Sequence, residues 1–426
     1  MATVKPFHGL RFSTIAGNIE DIVAPPYDVL SESERDEYAA KNAHNIVRLT
    51  LPEQDSGDRS KYVKYAKSAA QLEDWRRSGV LKPEGHQSFY RYTQTFTVGD
   101  PSQKFTRTTL IVLLKVEPYD KGVVLPHEQT FPKHKEDRLR LLEATKSHLE
   151  CIFGLYEDDD HGVHSLVAAA PGTQVASFTT YEDSIFHNLD RIDNPAAIES
   201  IEKALQPKRL WIADGHHRYE TALTFRQMQG EQDGLIAEDF MMMAVDSMTD
   251  PGLVLLPTHR ILKSMPCSAV ELKGKLAETF TVTDCPNSKL MSSIEGLNRS
   301  GQRAFGVALP GGQGFVASTS KISEIASQIE GPGTQLLKEL DVSVLHGFIF
   351  EKLLGLSGLD FFGYTRIEKE ALDAVENGAP ASFLMNPPTV EDMRLIALQG
   401  EKMPQKSTYY YPKLLSGLVL WSLKDF

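Results

Sequence analysis

The sequence predicts a multidomain α+β protein, on three observations. The chain has 426 residues, too many for one ordinary domain, so two or three hydrophobic cores are expected. Its 41% hydrophobic and 24% charged content describes a folded chain with a proper core and disfavours disorder. Strand-like and helix-like segments are also interspersed along the chain, with no internal repeat or low-complexity tract.

In IVAPPYDVLSESER (22–35) the double proline forces an extended turn, and Ser31 with Glu34 has the spacing of a capping box for a helix through Tyr38. Residues 61–78 place Tyr62, Tyr65, Ala69, Leu72 and Trp75 on one helical face. SFYRYTQTFTV and TRTTLIVLLKVEPY are strands joined by a Gly-Asp-Pro turn. The texture changes near residue 116. LPHEQTFPKHKEDRLRLLEATKSHL (125–149) is a loop rich in His, Lys and Pro that feeds a charged amphipathic helix. IFGLYED and VASFTTYE are strand-like, and AAIESIEKAL is helical.

Arg209 to Ala213 read as a strand, and the chain is helical from Tyr219. FMMMAVDSMTDPGLVLLPTHRIL follows as two apolar strands broken by Asp-Pro-Gly. Further on, AFGVALPGGQGFVAST has a hairpin pattern around Gly-Gly. SVLHGFIFEKLLGL is a helix that Gly355 or Gly358 ends, and Thr389 is the N-cap of the helix in NPPTVEDMRLIALQGE.

Charge and cysteine usage exclude several classes. The net charge of −12, from 45 basic and 57 acidic side chains, argues against a broad nucleic-acid surface. An anionic small ligand would need local cations and backbone amides to hold it. The three cysteines, Cys151, Cys267 and Cys285, have no CxxC spacing, which points to a reducing compartment. MATVKPFHGLRF has no apolar signal region, and no apolar run approaches the ~20 residues that span a bilayer. A cytoplasmic protein without a membrane partner is expected; the oligomeric state is left open.

Four stretches carry candidate chemistry. In WIADGHHRYETAL (211–223), a strand, Asp-Gly and a helix start would present unpaired N–H groups and the positive end of a helix dipole. Gly215 permits close approach of a ligand to the backbone, and His216, His217 and Arg218 add donors, which together suit a phosphate. The plainer alternative is that Asp214 caps the helix. In HEQTFPKHK (127–135), Glu128 beside His127 is placed to orient or deprotonate a hydroxyl, with Lys133, Lys135 and Arg138 available to an anion. Lys406, Ser407 and Thr408 have the ending of a Walker A motif without its glycines, so no P-loop is present. Thr258, His259 and Arg260 form a similar polar cluster at a strand end. Arg48 and the PPYD turn, Pro25 to Asp28, read first as an exposed arginine and a structural turn. GxSxG and HExxH are missing, and nothing in sequence activates Cys151.

In this order, LPHEQ (125–129), IADGHHRYETAL (212–223) and MPQKSTY (403–409) resemble the motifs of free serine kinases. Those enzymes share a fold with the nucleotide-binding domain of ParB-type proteins and with sulfiredoxin. The whole chain also resembles the family of unknown function designated DUF1015, with IVAPPYDVLSESER and LPTHR as further hallmarks. The kinase resemblance implies a central ParB/sulfiredoxin-like phosphate-binding core at residues 116–265. An N-terminal α+β extension (1–115) would precede it, and a C-terminal α+β domain (266–426) would close the site.

The resemblance also implies roles. Glu128 would be the general base. Gly215, His216, His217 and Arg218 would hold the phosphates of ATP or ADP, with Arg218 stabilising the transferred group. Asp214 would help position Mg²⁺. Lys406, Ser407 and Thr408 would sit near the acceptor, L-serine first, or the phosphate; His127, Thr258, His259 and Arg260 are further candidates for binding the acceptor. Two departures are the long N-terminal region and the tyrosines of KSTYYYPK. A ParB-like nucleotide-binding and hydrolysing switch acting through partners is the alternative. A sulfiredoxin-like enzyme ranks last, because His216 stands where that chemistry uses a cysteine.

Overall fold

The computed structural model describes residues 1–358, 360–404 and 406–426. The protein is mixed α/β, with 14 α-helices among the described residues, and divides into two compact units. The first comprises Met1–Pro126, Thr130–Val254 and Pro412–Phe426; the second comprises His127–Gln129 and Leu255–Tyr411.

The first unit is built on a nine-stranded mixed sheet. Its strands run in the order Val124–Leu125, Leu210–Asp214, Ile152–Tyr156, Phe240–Ser247, Lys104–Lys115, Phe89–Thr97, Phe186–Ile192 and Thr173–Thr179. Val4–Lys5 pairs alongside Lys104–Lys115. Phe89–Thr97 and Lys104–Lys115 form the antiparallel hairpin that their apolar runs predict. Phe240–Ser247 is buried along its whole length between a parallel and an antiparallel neighbour, which explains its unbroken apolar run.

One core joins this sheet to the helices Gly162–Ala169, Pro195–Leu205 and His216–Gln227 through Val112, Val167, Leu205, Ile212, Ala222 and Met243. A second core gathers Leu49, Leu72, Trp75, Leu141 and Leu420 around the helices Glu32–Lys41, Val63–Arg77 and Pro132–Thr145. The capping box forms as read: Ser31 Oγ accepts from the Glu34 N–H at 3.3 Å, and Glu34 Oε2 accepts from the Ser31 N–H at 2.8 Å.

The second unit has a six-stranded antiparallel sheet. Its order is Thr281–Pro286, Gln313–Thr319, Arg303–Ala308, Ser382–Leu384, His259–Leu262 and Phe362–Thr365. Its Gly311 and Gly312 adopt φ +85° and +75°, the left-handed geometry that the hairpin turn requires. The apolar SVLHGFIFEKLLGL segment is helical over Val344–Leu353, but as a π-helix. Gly355, at φ +68°, follows its end. Thr389 caps Val390–Leu398, accepting from the Asp392 N–H at 3.0 Å. No helix among the described residues is long and apolar enough to cross a membrane.

Candidate functional site

The candidate residues fall into two clusters, one in each unit. In the first unit, Leu210–Asp214 ends at Gly215, and the helix His216–Gln227 starts at once. That start is three residues earlier than the helical pattern from Tyr219 suggests. Gly215 is required twice over. Its φ is +92°, and a Cβ there would lie 2.7 Å from Ile152 Cγ2. The first N–H groups of the helix therefore follow directly on a strand end, as an anion site needs.

The side chains here are already engaged. Asp214 accepts from Lys413 Nζ at 2.7 Å through Oδ1 and from Arg218 Nη2 at 3.2 Å through Oδ2. Arg218 Nη1 donates to the Cys151 carbonyl at 2.5 Å. Burial opposes the Arg218 charge, but Glu150, Asp214 and Asp28 outweigh it and hold its pKa above the ordinary value. The PPYD turn thus belongs to this cluster. The Tyr27 ring lies under the guanidinium of Arg138, 4.0 Å away, and 5.9 Å from that of Arg218, while its N–H donates to Glu150 Oε1 at 3.0 Å. Burial raises the Tyr27 phenol well out of its usual range.

His216 is buried. His217 accepts from the Phe131 N–H at 2.9 Å through Nε2 and meets His134 edge-on. Burial, then His134, lowers its pKa. Of the cations in HEQTFPKHK and just beyond it, Lys135 binds Glu220 at 2.9 Å and Arg138 is buried against Asp137 and the Thr50 carbonyl, while Lys133 is exposed. Arg48 Nη2 donates to the Ala39 carbonyl at 2.8 Å. Cys151 is an unpromising nucleophile, because burial pushes its thiol up to about 12.

In the second unit, three stretches far apart in sequence come together. Glu128 bridges to Met403 in parallel, and the Met403 N–H donates to the His127 carbonyl at 2.7 Å. His127 Nε2 lies 2.9 Å from Thr408 Oγ1. Arg260 Nη2 reaches the Lys406 carbonyl at 3.4 Å. The HEQ, THR and KST segments therefore share one polar cluster. Within it Glu128 is half-buried, Lys406 is exposed with φ +57°, and Ser407 is buried with its hydroxyl on the Pro404 carbonyl. Gln405 of the third motif lies outside the described residues.

Arg260 is the unusual member. It is 1% exposed, and its neighbours are neutral acceptors: the Thr258 carbonyl, Met385 Sδ at 3.0 Å and His346 Nε2 at 3.2 Å. Burial, partly opposed by Tyr364 and reinforced by Arg366, lowers its pKa to about 10. Thr258 Oγ1, Tyr364 Oη and Arg366 Nε are buried without a hydrogen-bond partner. The His259 imidazole, pushed down to about 4 by burial and then by Arg260, is neutral near pH 7.

Sequence reasoning missed Lys413 and Glu150 in the first cluster and His346, Tyr364 and Arg366 in the second. His346 sits in the π-helix, a geometry often found at functional sites. No spacing rule points to it.

Comparison with curated proteins gives no match. Among solved structures, a free serine kinase in complex with ADP is 15% identical, covering 71% of this chain and 87% of its own, with a TM-score of 0.34. A conserved hypothetical protein from Pyrococcus furiosus is 16% identical, with 75% and 97% covered and a TM-score of 0.34. SbnI from Staphylococcus aureus is 10% identical, with 72% and 85% covered and a TM-score of 0.33. Likeness at that level fixes neither substrate nor mechanism. The model of the family described as "Protein of unknown function (DUF1015)" matches residues 4–343, most of the chain, and the protein belongs to that family.

Proposed function

We propose that the protein is a nucleotide-dependent phosphotransferase of a small hydroxylated metabolite, with L-serine the first candidate acceptor and ATP or ADP the donor. The observation that carries this reading is the meeting of His127–Glu128, Thr258–Arg260 and Lys406–Thr408 in one polar cluster, around a buried arginine with neutral hydrogen-bond partners. Such a cluster suits an anionic acceptor that also bears a hydroxyl. The reading includes a ParB/sulfiredoxin-like core at residues 116–265, flanked by 1–115 and 266–426.

Glu128 accepts the proton of the acceptor hydroxyl as that oxygen attacks the terminal phosphorus of the donor and the bond from that phosphorus to the bridging oxygen breaks, releasing ADP from ATP or AMP from ADP. Arg260, Lys406, Ser407, Thr408 and Thr258 orient the acceptor. His127 positions Thr408, and His259, neutral near pH 7, supplies hydrogen bonding rather than charge. The backbone amides after Gly215, with His216 and His217, hold the nucleotide phosphates. Arg218 stabilises the transferred group only if nucleotide draws it from Asp214.

Mg²⁺ commonly offsets charge on the nucleotide in such reactions. Asp214 does not fit as its ligand in the observed arrangement, because Lys413 and Arg218 hold its two oxygens.

The test incubates purified protein with Mg²⁺, L-serine and either ATP or ADP, and measures O-phosphoserine. Product is expected from wild type, with a fall of about 10²–10⁴-fold in Glu128→Gln. Nucleotide binding that is lost in His216→Ala, without product, would retain the phosphate site and remove serine. Acceptor-independent hydrolysis would favour the ParB-like switch.

A further inference from the structure

The strand Phe240–Ser247 is apolar and buried throughout, yet it carries one carboxylate, Asp246, which is fully buried. Four residues on, the turn that follows carries Asp250, also buried, and the helix Gly162–Ala169 contributes His164. One ligand atom from each of these three side chains lies within 4.8 Å of the other two. His164 Nδ1 is 3.7 Å from Asp250 Oδ2.

Asp250 is held by backbone donors, Gly252 N–H on Oδ1 at 2.6 Å and Thr108 N–H on Oδ2 at 3.1 Å. Asp246 Oδ1 accepts from the Ser247 N–H at 2.7 Å. Asp246 Oδ2 is buried with no donor at all. A carboxylate oxygen taken out of water without a donor and set beside a second carboxylate is costly, and needs a proton or a cation. Arg107, also buried nearby, offsets part of this charge, and its Nη2 donates to the Pro412 carbonyl at 2.5 Å. Asp158, the next buried carboxylate, has its own partners in Lys208 and the N–H groups of Val163 and His164.

We propose that His164, Asp246 and Asp250 form a binding site for a divalent first-row transition-metal ion, Zn²⁺ or Mn²⁺. One imidazole nitrogen with two carboxylate oxygens suits those ions better than Ca²⁺ or Mg²⁺, which favour all-oxygen shells. Bonds of about 2.0–2.2 Å place ligand atoms up to roughly twice that far apart, so a small side-chain adjustment closes the set. His164 is only partly buried, its side chain 26% exposed, and gives the ion a way in. The site is independent of the phosphotransferase reading.

The test uses the full-length protein, treated with chelator and desalted. It is titrated with MnCl₂, following free Mn²⁺ by electron paramagnetic resonance, and with ZnCl₂ by calorimetry. Saturable binding of one ion per chain is expected, weakened about tenfold or more in His164→Ala and in Asp246→Asn. His164 is partly exposed, so His164→Ala decides the matter if Asp246→Asn fails to fold. Absence of saturable binding in wild type, or affinity unchanged in His164→Ala, overturns the site. No binding together with an Asp246→Asn variant melting at or above wild type would mean that the two carboxyls share a proton instead.

Discussion

Arg218 in the first unit is mostly buried and Arg260 in the second fully so, but their electrostatic surroundings are opposite. Arg218 is surrounded by Glu150, Asp214 and Asp28, and its charge is stabilised above that of a free arginine. Arg260 is surrounded by a carbonyl, a thioether, an imidazole and a second arginine, and its charge is destabilised. A guanidinium of the first kind completes an internal ion network. One of the second kind keeps an uncompensated charge that an anionic ligand can neutralise. Electrostatic surroundings therefore separate scaffold from receptor more clearly than burial alone.

The largest effect should appear where the ion network is broken. Arg218→Met strips a cation from Asp214 and Glu150 and should destabilise the first unit by about 3–5 kcal/mol. Arg260→Met removes no ion pair and should change stability by no more than ~1 kcal/mol. Urea unfolding of both variants checks the order; equal losses would erase the distinction.

A second effect should run the other way. If Arg260 is a receptor for anions, inorganic phosphate should stabilise the wild-type protein, by about 2–3 kcal/mol at a hundred times its dissociation constant. The stabilisation should be smaller in Arg260→Met, where only the amides after Gly215 with His216 and His217 remain to hold the anion, and unchanged in Lys413→Met. Melting temperatures with and without phosphate read this directly. Equal stabilisation of wild type and Arg260→Met would place the anion elsewhere.

Much of this was legible in the sequence, for reasons that are local. The Ser31–Glu34 and Thr389 caps, the Gly-Gly hairpin and the strand into Asp214–Gly215 each depend on a few adjacent residues, so their chemistry fixes them. What escaped depends on distance. The strand Phe186–Ile192 has the mixed sequence FHNLDRI and takes its place from pairing on both sides, with Phe89–Thr97 and Thr173–Thr179. Tyr27 looked like part of a turn because its value lies in stacking against Arg138, more than a hundred residues on. The neutral surroundings of Arg260 come from Thr258, His346, Met385 and Lys406, on separate segments, and no pattern within LPTHR announces them. Asp246 was the reverse case. Its charge stands out in an apolar run, but its nearness to His164 and Asp250 is set by folding alone.

The smallest effect concerns pH and again separates the two arginines. His259 is held down to about 4 and His346 to about 3, each by burial first and by the Arg260 charge second. His148 and His187, in the first unit, are held down to about 4 and 3 mainly by burial. For all four, the unfolded chain takes up a proton near pH 6.5 that the folded protein refuses until about pH 3–4. Unfolding therefore binds protons in that window. The stability these groups contribute is fully present above about pH 6.5 and is lost as pH falls through it, by up to about 1.4 kcal/mol per pH unit for each histidine. In Arg260→Met the second cause disappears for His259 and His346, their folded pKa values rise toward 6.5, and the acid loss should become shallower. Arg218→Met should leave the slope from these four histidines as it is, since Arg218 is not among the causes of their shifts. Urea unfolding at half-unit steps from pH 7 to pH 4 measures both slopes. A shallower slope in Arg218→Met, with none in Arg260→Met, would mean that the charge felt by the second unit's histidines has been assigned to the wrong arginine.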